Sequence, residues 1–426
     1  MAIITLPYNQ TSVMMELPDD KDVRTLHPRE MAPLEDPQDE LRRCLEGPPR
    51  WEPLEKMAEK VEGNVLIITQ DHTRVNRKET VLPWLIDLLN EYGIPDERVK
   101  ILIALGSHKK PTDEVARKTV GPAFDRVKVV HHDPSGPLID CGTTSSGTKV
   151  NVNAALKEAG LVIFYGAVVH HYFAGYGGGR KLIVPGIASL ETIASNHSLT
   201  WDLEGHGRHR MVKSGSLDGN PVSDDMLECA RLALEGVNYI SISSVITPEK
   251  EFGFFAAGEI YDTHKSACDF ADANFIVPCE RQADIVIASA GGFPKDINLI
   301  QSHKGMDNVS HVLKPGGTLL YLMGCSEGYG NQAILDFAPL DMPSIRAKLE
   351  EHYVVYGQTV HAIKEKTSKF RVIVMTGMDN DLARTLGLTP VTNIDEALEL
   401  MKEDIEKAEL IYHVSRGDIT VAQCMG

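Results

Sequence analysis

Strand-length apolar runs alternate with helical segments through most of this 426-residue chain, and this alternation restricts the fold more than any other feature. Residues 64–69, 99–105, 127–130 and 161–165 are short runs dominated by apolar side chains. Between the first two runs, residues 80–92 carry apolar side chains at helical spacing, which predicts an amphipathic helix. Strands that alternate with helices favour a mostly parallel sheet with helices on its faces, and therefore an α/β fold.

A second series of the same kind begins near residue 280. Its strands and helices are predicted, in chain order, at residues 283–288, 297–313, 318–323, 372–375 and 394–402. A chain of this length exceeds a single ordinary core. We therefore predict an N-terminal α/β domain over residues 1–270 and a C-terminal Rossmann-like α/β domain over residues 271–426, with an active site in the cleft between them. Short strands and then several prolines, which interrupt long elements, are expected in residues 1–50.

The charge and the cysteine content exclude several functional classes. The net charge is −17 at pH 7, so bulk attraction to nucleic acid or to an anionic membrane is not expected. The seven cysteines are scattered and form no C-x-x-C pair, which argues against a disulfide framework and a zinc knuckle. Neither a secretory signal nor an apolar run of about 18 residues is present in the sequence. We expect a cytoplasmic protein that acts on a small molecule.

Residues 170–197 hold the densest group of chemically useful side chains. The segment starts with the paired His170 and His171, continues through a glycine loop to Lys181, and ends at His197. Glycines let backbone amides approach an anion closely. A lysine can act as a nucleophile or a covalent anchor, and histidines bind metal or transfer protons near neutral pH. This combination favours a functional site over a simple tight turn.

The same segment does not match a phosphate-binding P-loop, which reads G-x-x-x-x-G-K-[ST]. Counted from Gly175, the second glycine of that pattern falls on Arg180 and the hydroxyl residue falls on Leu182. An ordinary ATPase or GTPase is therefore not predicted.

Two further polar groups follow predicted strands. Asp71 comes just after residues 64–69, and His108 follows the next run. Chemistry in open α/β sheets collects beyond the carboxyl ends of the strands. We therefore expect Asp71, His108 and the pair His170 and His171, which follows residues 161–165, at one rim of one sheet.

Four motifs, in this order along most of the chain, resemble the nickel-pincer lactate racemase family. The central motif is the specific one, and it reads H-Y-F-A-G-[FY]-x-G-G-R-K-x-[IL]-x-P-G-[IV]-A in the family. The matching segments are D-x-T-R at 71–74, G-[ST]-H at 106–108, the central motif at 171–188 with an Asn-His pair at 196–197, and Q-x-x-K at 301–304.

The resemblance implies a cofactor, the nickel-pincer nucleotide: a pyridinium-3,5-bisthiocarboxylic acid mononucleotide that grips nickel through sulfur, carbon and sulfur. Lys181 would carry it covalently as a thioamide, and His197 would complete the coordination of the metal. Nickel accepts such soft sulfur and imidazole ligands in square-planar geometry. Residues expected to bind the rest of the cofactor are Asp71, Thr73, Arg74, Gly177, Gly178 and Gly179. Proteins that synthesise the cofactor and insert nickel are the implied partners.

The resemblance also implies a reaction, the racemisation or epimerisation of a 2-hydroxy acid through a 2-keto acid. Removal of the α hydrogen as hydride avoids a carbanion, while a base takes the hydroxyl proton. Two mirror-image substrates require two bases, and His108 and His171 match the pair in the family. Arg74, Gln301 and Lys304 would bind the substrate carboxylate.

The sequence leaves the substrate and the enzyme class open. Lactate-acting members of the family place a tryptophan in the second domain, whereas Trp51, Trp84 and Trp201 all lie in the first. A larger or more polar 2-hydroxy acid, such as malate, an aromatic hydroxy acid or a sugar acid, is thus at least as suitable as lactate. A Schiff-base lyase that uses Lys181 without metal, and a non-catalytic binding protein with the same fold, are the alternatives.

Other polar residues near the motifs are assigned structural or surface roles. His170 neighbours His171 on an extended segment and should face the other way. Four basic residues near the expected site could meet a second carboxylate of the substrate, but they are interpreted as solvated surface charges: Arg77, Lys78, Lys109 and Lys110. His303 lies between the glutamine and lysine of the last motif on a helix, and projects differently from both. Without the resemblance, His197 would be interpreted as a surface residue near a turn.

Overall fold

The computed structural model describes residues 2–202 and 207–424. It divides into two compact units. The central unit comprises Met31–Trp201 and Arg208–Ala273, and the terminal unit comprises Met1–Glu30, Asp202–Gly207 and Asn274–Gly426.

This division differs at the N-terminus from the expected domains, which place residues 1–270 together. The first thirty residues belong to the same unit as the C-terminal part of the chain. Strand pairing is the physical reason, because Asp22–Thr25 forms a parallel ladder with Leu410–Val414. Such a long-range pairing leaves no local mark in the sequence.

The strands of the described residues alternate with helices along most of the chain. In chain order they are β1 (Ala2–Tyr8), β2 (Thr11–Leu17), β3 (Asp22–Thr25), β4 (Val65–Gln70), β5 (Val99–Ala104), β6 (Lys128–His131), β7 (Leu138–Thr143), β8 (Lys149–Asn153), β9 (Leu161–Ala167), β10 (His170–His171), β11 (Gly175–Tyr176), β12 (Trp201–Asp202), β13 (Gly207–Arg208), β14 (Tyr239–Ile246), β15 (Phe252–Gly258), β16 (Ile276–Cys279), β17 (Ala283–Ser289), β18 (Leu313–Met323), β19 (Arg371–Thr376), β20 (Thr389–Val391), β21 (Leu410–Val414) and β22 (Val421–Cys424).

The α-helices are mostly two to four turns long. In chain order they are α1 (Pro37–Glu46), α2 (Leu54–Lys60), α3 (Lys78–Glu91), α4 (Asp113–Val120), α5 (Ala155–Glu158), α6 (Leu190–Ser198), α7 (Pro221–Leu234), α8 (Ile260–Phe275), α9 (Leu299–Ser310), α10 (Gln332–Phe337), α11 (Met342–Glu351), α12 (Val355–Lys369), α13 (Asn380–Thr385) and α14 (Ile394–Lys407). Short 3-10 helices are formed by Asp96–Arg98, Gly121–Asp125 and Gly179–Leu182. Within residues 2–202 and 207–424, none of the helices combines the length and the apolar character needed to span a membrane.

The central unit is built on a six-stranded sheet in the order β15-β14-β9-β4-β5-β6. All neighbours are parallel except β14 and β15, which are antiparallel. Strands β4 and β9 are buried along their whole length, as expected for parallel strands covered on both faces. The strands and the helix predicted in this region are confirmed: α3 buries Leu82, Leu85, Ile86 and Leu89 in the core with Ile67 and Ile101 of the sheet.

The terminal unit contains a second six-stranded sheet, which is parallel throughout, in the order β20-β19-β18-β17-β21-β3. Strands β1 and β2 form an antiparallel hairpin whose Leu6 and Met15 belong to the same buried cluster as Ile285 and Leu320 of the sheet. The strands and helices predicted after residue 280 are present as β17, α9, β18, β19 and α14. The predicted α/β fold with mostly parallel sheets and flanking helices is therefore confirmed.

The proline-rich stretch after β3 nevertheless contains the ten-residue helix α1. Pro37 occupies its first turn, where a backbone N–H has no helical partner to lose. The side chain of Asp36 caps this end by accepting a hydrogen bond from the N–H of Asp39. Proline therefore starts an element here, although the sequence suggested that it interrupts one.

Candidate active site

Three adjacent parallel strands of the central unit end close to the predicted catalytic residues. Strands β9, β4 and β5 are neighbours in the sheet and run in the same direction. Asp71 directly follows β4, His108 lies four residues beyond the end of β5, and His171 lies four residues beyond β9. The carboxyl ends of parallel strands meet at one edge of a sheet, so the chain order brings these motifs to a common edge.

Asp71 and His108 form a direct pair at this edge. His108 Nδ1 lies 2.5 Å from Asp71 Oδ2, and Asp71 Oδ1 accepts hydrogen bonds from the backbone N–H (3.1 Å) and the hydroxyl (2.7 Å) of Thr73. A carboxylate only accepts, so Nδ1 of His108 carries the hydrogen and Nε2 is left as the basic nitrogen of the neutral ring. Asp71 and Thr73, which the family resemblance assigns to cofactor binding, therefore orient His108 in this structure.

The electrostatics keep Asp71 ionised although it is only 3% exposed. Burial by itself raises the pKa of this carboxyl. The charge and hydrogen bond of His108, the charge of Arg74 and the hydrogen bond of Thr73 act in the other direction and hold the pKa well below its usual range. The pair thus consists of a buried anion and a ring whose side chain is 29% exposed.

Lys181 lies among basic and aromatic groups. Its Nζ is 3.4 Å from Nε2 of His171 and 4.8 Å from the ring centroid of Phe173. Burial lowers the pKa of the amine well below the ordinary lysine value, and the positive charges of Arg74 and Arg180 lower it further. A lowered pKa increases the fraction of neutral amine, whose free lone pair can act as a nucleophile or carry a covalent group.

His197 is buried on α6 and not at the surface near a turn, so the interpretation made without the family resemblance is wrong. Only 4% of its surface is exposed. The pKa of its ring is lowered to about 3, mainly by burial and then by the charge of Lys181, against a smaller opposite effect of the Ile193 carbonyl. Ser189 is the N-cap of α6, and its hydroxyl accepts a hydrogen bond from the N–H of Thr192. A cap of this kind is visible in the sequence.

Phe173 connects these residues. The ring centroids of His171 and Phe173 are 4.5 Å apart, those of Phe173 and His197 are 4.8 Å apart, and the amine of Lys181 lies at 4.8 Å from the same ring. Three of the predicted site residues therefore contact one aromatic side chain. The sequence alone does not mark Phe173 as a site residue, although it lies inside the central motif.

The glycines between Tyr176 and Arg180 allow the chain to pass close to other backbone and side-chain atoms. Gly178 has φ = 76°, and a Cβ there would come within 2.8 Å of the Ala167 carbonyl oxygen. Gly179 has φ = 50°, and a Cβ there would come within 2.5 Å of the His264 ring. Close packing alone thus requires glycine at both positions. Binding of a mononucleotide by Gly177, Gly178 and Gly179 stays a prediction.

The first turn of α7 fastens the segments that carry these side chains. Asn220 caps the helix and its Nδ2 donates to the carbonyl of Phe173 at 2.9 Å. Buried Asp225 accepts a hydrogen bond of 2.9 Å from Nδ2 of Asn196, which is the residue directly before His197 in the chain. One helix end therefore positions both the aromatic centre of the site and the helix that bears the buried histidine.

Lys78 differs from its expected surface position. It is the first residue of α3, is only 3% exposed, and donates to the carbonyl of Arg74 at 3.0 Å. Burial lowers the pKa of its amine to about 8, although the charges of Asp71 and Glu79 oppose the shift. A lysine at the start of a helix looks like a solvated residue in the sequence, and only the packing of the preceding loop buries it.

His170 has a structural role, as expected. Its Nε2 lies 2.8 Å from Oδ1 of Asp272, and the hydroxyl of Tyr176 donates to the same carboxylate at 2.7 Å. The side chain of His170 is fully buried.

The last predicted motif lies on α9 of the terminal unit. The amine of Lys304 donates to Oε1 of Gln301 at 2.8 Å, and Asn298 caps the helix through the N–H of Gln301. His303 is buried and bonds to the carbonyl of Ile300 at 2.8 Å, in keeping with its exclusion from the predicted site. The roles of Gln301 and Lys304 in substrate binding stay predictions.

Comparison with known families covers both halves of the chain. The family model of the lactate racemase N-terminal domain matches residues 8–207, and that of the lactate racemase C-terminal domain matches residues 279–421. A lactate racemase from Thermoanaerobacterium thermosaccharolyticum is 29% identical over 429 residues, which cover 98% of each chain. A lactate racemase from Lactiplantibacillus plantarum is 30% identical over 354 residues, which cover 80% of each chain.

Solved structures agree with these matches. The lactate racemase apoprotein from Thermoanaerobacterium thermosaccharolyticum superposes with a TM-score of 0.88 at 28% identity, covering 99% of this chain and 100% of the other. A protein from Thermotoga maritima shares the fold with a TM-score of 0.68 at 18% identity, covering 91% of this chain and 98% of the other. The motifs, the fold and the two matching domain models together show that this chain is an isomerase of the racemase type and belongs to the lactate racemase family.

Proposed function

We propose that this protein interconverts the stereoisomers of a 2-hydroxy acid through the corresponding 2-keto acid. Lactate is the first substrate to test because the relatives are named lactate racemases. The observation that carries the proposal is the grouping of Lys181, His171 and His197 around Phe173, in the segment that matches the family motif.

The residues of this group fit the nickel-pincer nucleotide that the family implies. Lys181 supplies an amine with a lowered pKa for the covalent link. His197 supplies a neutral imidazole, whose Nδ1 is buried without a well-formed hydrogen bond, although the Ile193 carbonyl is close enough to affect its pKa. When bound, the cofactor would accept the α hydrogen of the substrate as hydride and return it.

A single imidazole does not hold nickel by itself, so the proposal requires further ligands from the cofactor. Within residues 2–202 and 207–424, there is no cluster of three or more His, Cys, Asp or Glu side chains that could hold a metal ion. Sulfur and carbon donors from the pincer would supply the remaining ligands of the metal. Proteins that make the cofactor and insert nickel are accordingly proposed as partners.

Two histidines would move the hydroxyl proton, one for each enantiomer. Asp71 holds the Nδ1 hydrogen of His108, so its Nε2 is the nitrogen that takes or returns a proton. His171 faces the amine of Lys181 and would do the same for the mirror-image substrate. A positioned base of this kind contributes about 10²–10⁴-fold to a rate.

Cationic and polar groups would hold the substrate carboxylate. Arg74 acts electrostatically on both Asp71 and Lys181, which locates its charge beside the proposed reaction centre. A guanidinium binds a carboxylate with two parallel hydrogen bonds. Gln301 and Lys304 are proposed as additional ligands, in line with the family motif.

The test is to incubate the protein with the enzymes that make the cofactor and with nickel, and then to supply enantiopure 2-hydroxy acids, including lactate and malate. Chiral chromatography should show interconversion of at least one acid, and intact mass should show a covalent adduct. The matched control is Lys181→Met, which keeps most of the side-chain volume but has no amine. A lack of interconversion in adduct-bearing wild-type protein, across all acids, would refute the proposed reaction.

The lowered pKa of the Lys181 amine also suits a Schiff-base lyase, so this alternative needs a separate arm. Borohydride is added to metal-free protein together with each acid or its 2-keto form. Trapping of the substrate on Lys181, with turnover that needs no nickel, would favour the lyase.

A further inference from the structure

Arg180 is a buried cation beside Lys181 whose hydrogen-bond acceptors are all uncharged. Its Nε donates to the carbonyl of Ser223 at 3.2 Å, and one terminal nitrogen donates to the hydroxyl of Ser223 at 2.7 Å and to the carbonyl of Ala174 at 3.3 Å. The other terminal nitrogen lies 3.0 Å from Nδ1 of His264. Burial lowers the pKa of Arg180 to about 10, so it remains charged at neutral pH.

The partners of His264 determine which of its ring nitrogens carries the hydrogen. A guanidinium only donates hydrogen bonds, so Nδ1 of His264 accepts from Arg180. The carbonyl oxygen of Gly177 only accepts and lies 2.9 Å from Nε2, so Nε2 carries the hydrogen. Burial and the charge of Arg180 lower the pKa of this ring to about 3, which agrees with a neutral imidazole.

We infer that His264 is a positioning residue, which as its Nε2–H tautomer links Arg180 to the carbonyl of Gly177 and thereby fixes the loop that presents Lys181. These hydrogen bonds from Arg180 to His264 and from His264 to Gly177 join α8 to two positions of the glycine loop. Gly177 lies before Lys181 in the chain, and Arg180 is directly next to it. This inference rests on the proposed role of Lys181 as the carrier of the cofactor.

The fit between the ring and the loop supports this role. The closest approach of His264 is to Gly179, where a Cβ would lie 2.5–2.7 Å from three atoms of the histidine side chain. Glycine at 179 therefore leaves room for the imidazole of His264, which forms hydrogen bonds with Gly177 and Arg180 on either side of that glycine. The two residues lie far apart in the sequence, and the family motif contains the glycine and the arginine but not the histidine.

The test compares His264→Gln with His264→Phe. A glutamine amide has one acceptor and one donor and can bond both Arg180 and Gly177, whereas a phenylalanine ring keeps the shape but bonds neither. Hydrogen–deuterium exchange of metal-free protein follows residues 174–181, with β5 as the internal control. We expect about tenfold faster exchange at 174–181 in His264→Phe alone, since a lost buried network opens locally.

The second readout is the rate at which an adduct forms on Lys181 with cofactor and nickel, followed by intact mass. It should fall at least tenfold in His264→Phe and stay within about threefold of wild type in His264→Gln. Should His264→Phe fail to fold, Arg180→Lys replaces it, because one ammonium cannot reach Ser223, Ala174 and His264 together.

Equal exchange and equal loading in wild type and His264→Phe, or in wild type and Arg180→Lys if that variant is used, would overturn the inference. Equal damage in both histidine variants would also overturn it, because the hydrogen bonds would then not be the cause. Failure of the proposed function is distinguishable, because wild-type protein would then acquire no adduct on Lys181 or would carry the adduct without interconverting any acid. The exchange comparison on metal-free protein still tests the hydrogen bonds of His264.

Discussion

The Asp71–His108 pair and the group around Lys181 place histidines in opposite electrostatic surroundings. His108 faces a buried carboxylate. In contrast, His197 and His264 are buried near the positive charges of Lys181 and Arg180, and their pKa values are lowered to about 3. His108 is therefore prepared for proton transfer, whereas His197 and His264 are prepared for a neutral role as ligand or hydrogen-bond relay.

The largest effect is expected from removing a base on either side of this comparison. His108→Phe and His171→Phe should each lower the rate of interconversion at least about 10³-fold. Each variant removes the base that transfers the hydroxyl proton of one enantiomer, and interconversion needs both bases. Both variants should still acquire the adduct on Lys181, as measured by intact mass. Full activity in either variant would contradict the assignment of two bases.

A smaller loss is expected when only the carboxylate of the first region is changed. Asp71→Asn keeps the shape of the side chain but removes the charge that orients the ring of His108. We therefore expect kcat to fall about 10²-fold with little change in KM. Loading of Lys181 is the control and should stay normal. An unchanged kcat would show that the pair is not needed to orient His108.

The second region should make the central unit sensitive to acid. Below the ordinary histidine pKa of 6.5 the unfolded chain binds protons at His197 and His264, whereas the folded unit stays neutral at both until about pH 3. Stability should therefore fall as pH drops through this window, by about 1.4 kcal/mol per pH unit for each ring.

Urea unfolding at about pH 7.5 and about pH 5 measures this effect. Tryptophan fluorescence is the suitable signal because Trp51, Trp84 and Trp201 all belong to the central unit. His264→Gln should reduce the loss between the two pH values, since this ring no longer titrates. The same loss in wild type and variant would show that His264 is not kept neutral by folding.

The smallest effect concerns the helix end that supports the second region. Asn220→Ala removes both the cap of α7 and the bond to the Phe173 carbonyl, and should cost about 1–2 kcal/mol of unfolding free energy. Asn220→Asp keeps the cap and is the matched control for the lost donor. A value near zero for the alanine variant would show that α7 does not fasten the site.

The contrast between the two regions also explains which residues the sequence could indicate. Asp71, His108, His171 and Lys181 sit in motifs that follow predicted strands or a glycine loop, so local patterns identify them. His264 carries no local signal of this role, because Arg180 and Gly177 lie more than eighty residues away from it in the sequence. The burial of Lys78 was missed for a related reason, since a charged residue at a helix start is usually solvated.

By itself the sequence determined the alternation of strands and helices, the α/β class and the motifs that mark the family, because each depends on periodicity or on residues close together in the chain. The tertiary structure decided which hydrogen bonds Asp71 makes, which histidines stay neutral, and that residues 2–30 complete the terminal unit. These outcomes depend on burial and on charges contributed by distant segments, and neither quantity exists until the chain has folded.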